Sequence, residues 1–294
     1  MPQEFTTIKQ LFDNLVSQIT VYELQEAKEI VFWLIEHELN LKKIDVITDK
    51  PLANVKETNW QTIITRLNNH EPIQYILGET YFYGRRFFVD NSVLIPRSET
   101  EELIQIVLNT NKAKEQNLKI LDIGTGSGCI AITLAKEIKN ANVLGYDISE
   151  KALETASRNA VLNQANVVFD KVDILNHVST QAMNQTFDII VSNPPYVTKQ
   201  EANEMRANVL EFEPHLALFV EDQQPLIFYE AIAQFASHAL NENGLVVVEI
   251  NESLGEETAA VLSKLDFSEV EIIKDIHQKN RFVKATFSKK IKKD

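Results

Sequence analysis

The sequence predicts an α/β chain in which a small helical bundle precedes a mainly parallel, doubly wound sheet that closes with an antiparallel hairpin. Three observations predict it. Residues 6–69 contain no glycine and repeat apolar residues at helical spacing. From residue 119 onward, short aliphatic and β-branched runs alternate with helical stretches, the pattern of parallel strands joined by crossover helices. The last two strand-like runs have only a short link between them, which suits an antiparallel return.

In the first part, Ile8, Leu11, Phe12, Leu15, Val16 and Ile19 make one apolar stripe, and Leu24, Ala27, Ile30, Val31, Leu34 and Ile35 a second. Thr20 and Glu23 have capping-box spacing for the second helix, and Pro51 interrupts the pattern before a helix over 60–67. His37 and His70 lack partners at metal-ligand spacing and read as surface or helix-end residues. Nothing here is catalytic, so this part is expected to dock a macromolecular substrate or to cover the second domain. Residues 80–83 and 86–89 are strand-like, with Gly84-Arg85 as the turn of a hairpin that bridges the domains. Ser98 and Glu101 then have capping-box spacing for the next helix. Phe82 and Arg97 lie in the bridge, within reach of a site built later. The expected divisions are a helical domain 1–75, a hairpin linker 76–97 and a sheet domain 98–294.

The sheet domain opens with a strand over 119–123, and Gly124-Thr125-Gly126-Ser127-Gly128 follows before a helix over 130–138. A glycine-rich turn between strand and helix lets backbone approach a ligand and aims helix N–H groups at it. A dinucleotide fingerprint would want Gly or Ala where Cys129 stands, which disfavours a pyrophosphate ligand. The next strand, 142–146, ends at Asp147, about 20 residues after the glycines, where an acid holds ribose hydroxyls; the same acid also suits the N-terminus of the helix that follows. After a helix over 151–162 and a strand near 167–169 come Val172-Asp173-Ile174-Leu175, where Asp173 reads either as an acceptor for an adenine amino group, with Ile174 on the ring, or as a solvated turn acid. The run over 187–192 reads as a buried strand and delivers Asn193-Pro194-Pro195-Tyr196 at its carboxyl end. Neither proline has an N–H, and Pro195 keeps Pro194 out of the α region, so the Pro194 carbonyl is left free. Asn193 adds a side-chain acceptor beside it, and Tyr196 a flat face; together they suit a planar group carrying an NH2, although the tetrapeptide also suits a rigid turn. A helix over 226–240, a strand over 245–250, a helix over 254–265 and strands over 270–273 and 282–287 complete the chain. Ligands of such a sheet sit outside the carboxyl ends of its strands, where all three motifs fall. The lysines at 289, 290, 292 and 293 read as a solvated tail.

With 294 residues, 44% of them apolar, the chain is long enough for two domains. No apolar run approaches a membrane span, and residues 1–5 lack the basic and apolar regions of a signal peptide, so a cytoplasmic protein is expected. A single cysteine gives no intramolecular disulfide, and the six histidines suggest no metal site. A formal charge of −13 opposes general attraction to phosphate backbones, so no direct nucleic-acid binding is expected.

These motifs together resemble the class I S-adenosyl-L-methionine-dependent methyltransferases with a Rossmann-like fold. More closely, the chain is similar to the family that N5-methylates a glutamine of bacterial peptide-chain release factors. The resemblance rests on Glu71-Pro72-Ile73-Gln74-Tyr75-Ile76-Leu77-Gly78, Phe82, Leu94-Ile95-Pro96-Arg97 with Thr100-Glu101, the glycine loop with Leu121-Asp122-Ile123, Ser192 through Tyr196, and Glu213-Pro214 with Ala217-Leu218. Ser98, Asn251 and Gln278 depart from that family's usual proline, glycine and glycine. The resemblance implies a monomeric translation-termination enzyme that methylates the glutamine of the Gly-Gly-Gln motif of a release factor. It implies that Gly124, Thr125, Gly126, Ser127, Gly128, Asp147 and Asn193 hold the methyl donor S-adenosyl-L-methionine, with Asp173 and Ile174 near its adenine. Asn193 and the Pro194 carbonyl would take the two amide hydrogens, followed by Pro195, with Tyr196 and Phe82 flanking the amide plane. The alternatives are an adenine-N6 methyltransferase acting on a flipped base and a non-catalytic protein that only senses the nucleoside.

Overall fold

The structure is a computed structural model that describes residues 5–52, 58–114, 117–176 and 185–288, with no side chain described for residues 203–204. In chain order its elements are α1 (Ile8–Gln18), α2 (Leu24–Leu39), α3 (Lys43–Ile47), α4 (Trp60–Asn68), α5 (Ile73–Leu77), β1 (Glu79–Phe82), β2 (Arg85–Phe88), α6 (Thr100–Leu108), β3 (Lys119–Ile123), α7 (Cys129–Glu137) and β4 (Asn142–Asp147). There follow α8 (Glu150–Leu162), β5 (Val167–Lys171), β6 (Phe187–Ser192), β7 (Val197–Thr198), α9 (Ala207–Phe212), β8 (Phe219–Val220), α10 (Ile227–Ala239), β9 (Leu240–Glu249), α11 (Gly255–Ser263), β10 (Phe267–Lys274) and β11 (Asn280–Phe287). They form two compact units, Met1–Gly78 with Arg206–Phe212, and Glu79–Met205 with Glu213–Asp294.

The first unit is helical, as its glycine-free apolar stripes require. Ile8, Leu11, Phe12, Leu15 and Val16 of α1 pack with Ala27, Ile30, Val31, Leu34 and Ile35 of α2 and with Ile64, Leu67 and Ile73. The expected capping box of α2 does not form: Glu23 occupies the cap with no side-chain hydrogen bond, and the Thr20 N–H donates to Asn68 Oδ1 at 2.9 Å.

The second unit is built on a seven-stranded sheet of order β10-β11-β9-β6-β3-β4-β5. The pairs β9/β6, β6/β3, β3/β4 and β4/β5 are parallel, and β11 runs antiparallel between β9 and β10. Helices cover both faces, so the central strands alternate strictly between two apolar layers. Leu121, Ile190, Val246 and Val248 enter one layer with α10, while Ile120, Ile189, Val191 and Val247 enter the other with α6 and α7. The winding reverses between β3 and β6, and Ser192 Oγ donates across that line to the Ile123 carbonyl at 2.6 Å. Doubly wound sheets open their ligand crevice at such a reversal. Gln278, standing where the resembled family often carries glycine, takes φ 65° in the β10–β11 link.

The hairpin turns one residue earlier than expected, at Tyr83-Gly84. Both have positive φ, 50° and 70°, as a type I′ turn requires. The Glu101 carboxylate accepts from the Tyr83 N–H at 2.7 Å instead of closing a capping box with Ser98, whose hydroxyl donates to Glu99. Phe82 is buried in the layer that holds α6 and α7, with its ring edge-on to Phe87 at 6.1 Å between centroids. Phe82 therefore sits in the sheet face rather than along the wall of the site cavity. The terminal lysines lie outside the described residues.

Phe82→Ala is expected to leave a cavity that lowers unfolding free energy by about 3–5 kcal/mol, read as a fall in the denaturant midpoint. An unchanged midpoint would mean that Phe82 does not belong to the core.

Candidate active site

The carboxyl ends of β3, β4 and β6 open onto a cavity of about 310 Å³. Its walls include Gly124, Thr125, Gly126 and Ser127 after β3, Asp147 at the end of β4, Asp173 and Ile174 after β5, and Asn193, Pro194 and Pro195 after β6. Arg97 and Thr100 line the same cavity. The structure thus brings together the motifs the sequence spread over 97 to 195. Gly128, Tyr196 and Phe82 are not among the lining residues.

The glycine loop is folded by its own backbone. The N–H groups of Gly124 and Thr125 both donate to the Tyr146 carbonyl, at 2.8 and 2.9 Å, and Gly124, Gly126 and Gly128 have φ of 72°, 53° and 80°. Gly128 serves packing: a Cβ there would approach Ile132 at 3.0 Å and Ala156 at 3.1 Å. Asp147 accepts from the Gly126 N–H on Oδ2 and the Ser149 N–H on Oδ1, each at 2.9 Å. With a third backbone donor from Ile148, the carboxylate, which has about four lone-pair sites, still has room for a ligand hydroxyl. Burial raises the Asp147 pKa, and these N–H donors oppose the shift. Asp173 closes an Asx turn, accepting from the Leu175 N–H at 3.0 Å and from Asn176 Nδ2 at 2.6 Å.

Beneath the loop, Asp122 is fully buried. Its Oδ2 accepts from Thr125 Oγ1 at 2.7 Å and the Ala131 N–H at 3.2 Å, while Oδ1 has no partner. Desolvation pushes its pKa up to about 7. Sequence reasoning assigned it no role, although a carboxylate inside an apolar strand is itself a signal of a required bond. Asn159 was missed as well. From the buried face of α8 it accepts the Phe88 N–H at 2.6 Å and donates to the carbonyls of Phe88 and Ser127, each at 2.9 Å. It thereby ties the hairpin to the glycine loop.

At the exit of β6, Asn193 is part-buried and its Nδ2 donates to Thr100 Oγ1 at 3.1 Å. Among the described residues, none donates to Asn193 Oδ1 or to the Pro194 carbonyl. Tyr196 packs its ring against the layer holding α10, and its hydroxyl donates to Glu249 Oε1 at 3.2 Å. The Leu94-Ile95-Pro96-Arg97 segment is pinned by Glu213, whose side chain is 1% exposed. Its Oε2 accepts the Ile95 N–H at 3.2 Å and its Oε1 accepts from Arg97 at 2.5 Å.

Comparison with known proteins agrees with this arrangement. A family described as "Methyltransferase domain" matches residues 114–294, and one described as "PrmC N-terminal domain" matches residues 10–78. A release factor glutamine methyltransferase from Flavobacterium psychrophilum is 46% identical over 272 residues, covering 91% of this chain and 94% of that protein. Its counterpart from Bacteroides thetaiotaomicron is 41% identical over 267 residues, covering 90% and 94%.

The chain belongs to the release factor glutamine methyltransferases.

The crystal structure of a methyltransferase from Pyrococcus furiosus matches with a TM-score of 0.51 and 21% identity, over 70% of this chain and 91% of that one, which shows the shared fold. As a member of this family the chain is an S-adenosyl-L-methionine-dependent methyltransferase. The residues present fit that donor. At Gly124 a Cβ would meet only the Asn193 carbonyl, at 3.9 Å, so the loop leaves a cradle there, and the open lone pairs of Asp147 face a cavity with apolar Ile148 and Ile174 walls. No helix among the described residues is long and apolar enough to cross a membrane.

A carboxyl whose pKa is raised by folding contributes stability that is fully present below its unfolded value and lost as pH rises through its folded one. For Asp122 this window runs from 3.8 to about 7. Asp122→Asn is expected to flatten the fall in unfolding free energy between those pH values, by up to ~4 kcal/mol at ~1.4 kcal/mol per tenfold change in proton affinity. Urea denaturation across that range checks it, and a slope equal to wild type counts against the assignment.

Proposed function

We propose that the chain transfers a methyl group from S-adenosyl-L-methionine to the side-chain amide nitrogen (N5) of the glutamine in the Gly-Gly-Gln motif of peptide-chain release factors. The observation that carries this reading is the pair of oxygens at the β6 exit, Asn193 Oδ1 and the Pro194 carbonyl, with no donor among the described residues. A carboxamide nitrogen is a weak nucleophile because its lone pair is delocalised, so the site has to fix its orientation. Two acceptors take its two hydrogens, leave the lone pair pointing along the cleft, and favour the positive charge that grows on nitrogen as the bond forms. The donor, when bound, supplies an electrophilic methyl group on a sulfonium.

In this reading Gly124, Thr125, Gly126 and Ser127 line the amino-acid end of the donor, Asp147 takes its ribose hydroxyls, and Asp173 and Ile174 border its adenine; Gly128 acts by letting α7 pack closely. Pro195 stiffens the strand exit, and Tyr196 anchors it from behind through Glu249. A single chain supplies every one of these groups, which supports action as a monomer, on a cytoplasmic protein substrate. The helical unit is the docking element, and the exposed Ile44 and Ile47 of α3 are its contact residues.

With labelled donor, wild type is expected to methylate a release factor and to leave unlabelled one whose Gly-Gly-Gln glutamine is changed. Asn193→Ala is expected to cut kcat by about 10²–10³-fold, as loss of one preorganised polar contact does, with donor affinity retained by calorimetry. Equal labelling of the glutamine-substituted factor would overturn the reading. Ile44→Glu combined with Ile47→Glu is expected to raise KM for the release factor while kcat stays put; an unchanged KM removes α3 from the docking face.

A further inference from the structure

Glu249 ends β9 inside the protein, 2% exposed, directly after the apolar run 245–248. A buried carboxylate is costly unless its oxygens are matched. Both are: Oε2 accepts from Thr100 Oγ1 at 2.7 Å, and Oε1 accepts from Tyr196 Oη at 3.2 Å. Burial raises its pKa, while Thr100, the positive charge of Arg281 and Tyr196 pull it back. The methyl transfer proposed above uses this residue only as the partner that anchors Tyr196.

Its position matters because of what lies two bonds away. The oxygen and nitrogen of an Asn amide are nearly the same size, so Asn193 can present either an acceptor or a donor to the cleft by a half-turn about its last torsion. Only the acceptor orientation suits a substrate NH2. Thr100 Oγ1 decides between them, since Asn193 Nδ2 donates to it at 3.1 Å. A threonine hydroxyl has one proton. Given to Glu249, that proton leaves Oγ1 able only to accept, so Asn193 must turn its NH2 inward and Oδ1 outward. Without an acceptor at position 249 the hydroxyl is free to rotate and donate to Asn193 Oδ1. The amide then turns over, and two NH2 groups face each other in the cleft.

We infer that Glu249 is a positioning residue which, acting through Thr100, sets the polarity of the Asn193 amide, and which through its second oxygen holds Tyr196 behind the same strand exit. The inference rests on the proposed glutamine methylation, because it gives the outward Asn193 Oδ1 its purpose. It adds a cause for that orientation, supplied by three side chains from distant parts of the sequence.

The test compares Glu249→Met, Glu249→Gln, Thr100→Val and Thr100→Ser with wild type on a release factor, after thermal denaturation shows each to be folded. Glu249→Met and Thr100→Val are expected to lower kcat about 10²-fold, with KM for the factor and donor affinity within threefold of wild type. Glu249→Gln, which still offers an oxygen to Thr100, and Thr100→Ser, which keeps the hydroxyl, are expected to recover most of the lost rate. The double variant of Glu249→Met and Thr100→Val is expected to lose less than the sum of the two single losses, since both act on the link to Asn193 while only Glu249 also holds Tyr196. Additive losses, a full rate in Glu249→Met, or a loss confined to donor affinity would each overturn the inference. Should Glu249→Met fail to fold, the Thr100→Val and Thr100→Ser pair decides alone. A second readout needs no turnover: the Asn193 side-chain NH2, identified in NMR spectra by its absence from Asn193→Asp, is expected to exchange with solvent more slowly in wild type than in Thr100→Val. If wild type leaves the release factor unmethylated, the proposed function fails; equal exchange rates sink the positioning role by itself.

Discussion

The whole arrangement depends on β3 and β6 lying side by side in parallel. The chain leaves these two strands toward opposite sides, so their carboxyl ends part and cannot be covered by a direct crossover. The Ser192 hydroxyl locks the line of reversal by bonding to the Ile123 carbonyl at 2.6 Å. From that line the glycine loop departs on one side and Asn193 on the other, which places a nucleoside-binding turn and a carboxamide-orienting turn in one crevice without either needing a long loop. The rest of the second unit fixes how far each turn can move. Asn159 holds the glycine loop from below, Glu213 pins the segment carrying Arg97, and Glu249 with Thr100 braces the β6 exit.

Much of this was legible in the sequence because burial on both faces writes itself as continuous apolar runs. The strand over 187–192 and the parallel alternation after residue 119 could be read directly, and the short link between the last two strands gave the antiparallel end. The glycine loop was equally plain, since three of its residues occupy positive φ that side chains resist. Asn193 was found from local chemistry alone: two prolines in succession strip the chain of donors and leave an acceptor exposed.

What was not legible shares one physical cause. The partners of the bracing residues are 116 to 149 positions away, for Arg97 with Glu213 and Thr100 with Glu249, and no periodicity records such pairs. Local patterns also misled where a distant group competed better. Ser98 and Glu101 have capping spacing, yet the Tyr83 N–H claims the Glu101 carboxylate. Phe82 and Tyr196 flank recognisable motifs while their rings pack into the apolar layers. The acids at 122 and 249 sit within buried strands, but the sequence reading gave neither a role, because their partners become visible only once the sheet is assembled.

The distances along the chain have a consequence for how the protein is made. Thr100 cannot commit its proton until β9 has threaded in beside β6, so the crevice acquires its polarity only after nearly the whole sheet has assembled. Contacts of such long sequence separation form late, when their loop-closure cost is at last repaid. The crevice therefore takes its polarity from a pairing that spans 149 positions and cannot form before residue 249 is present.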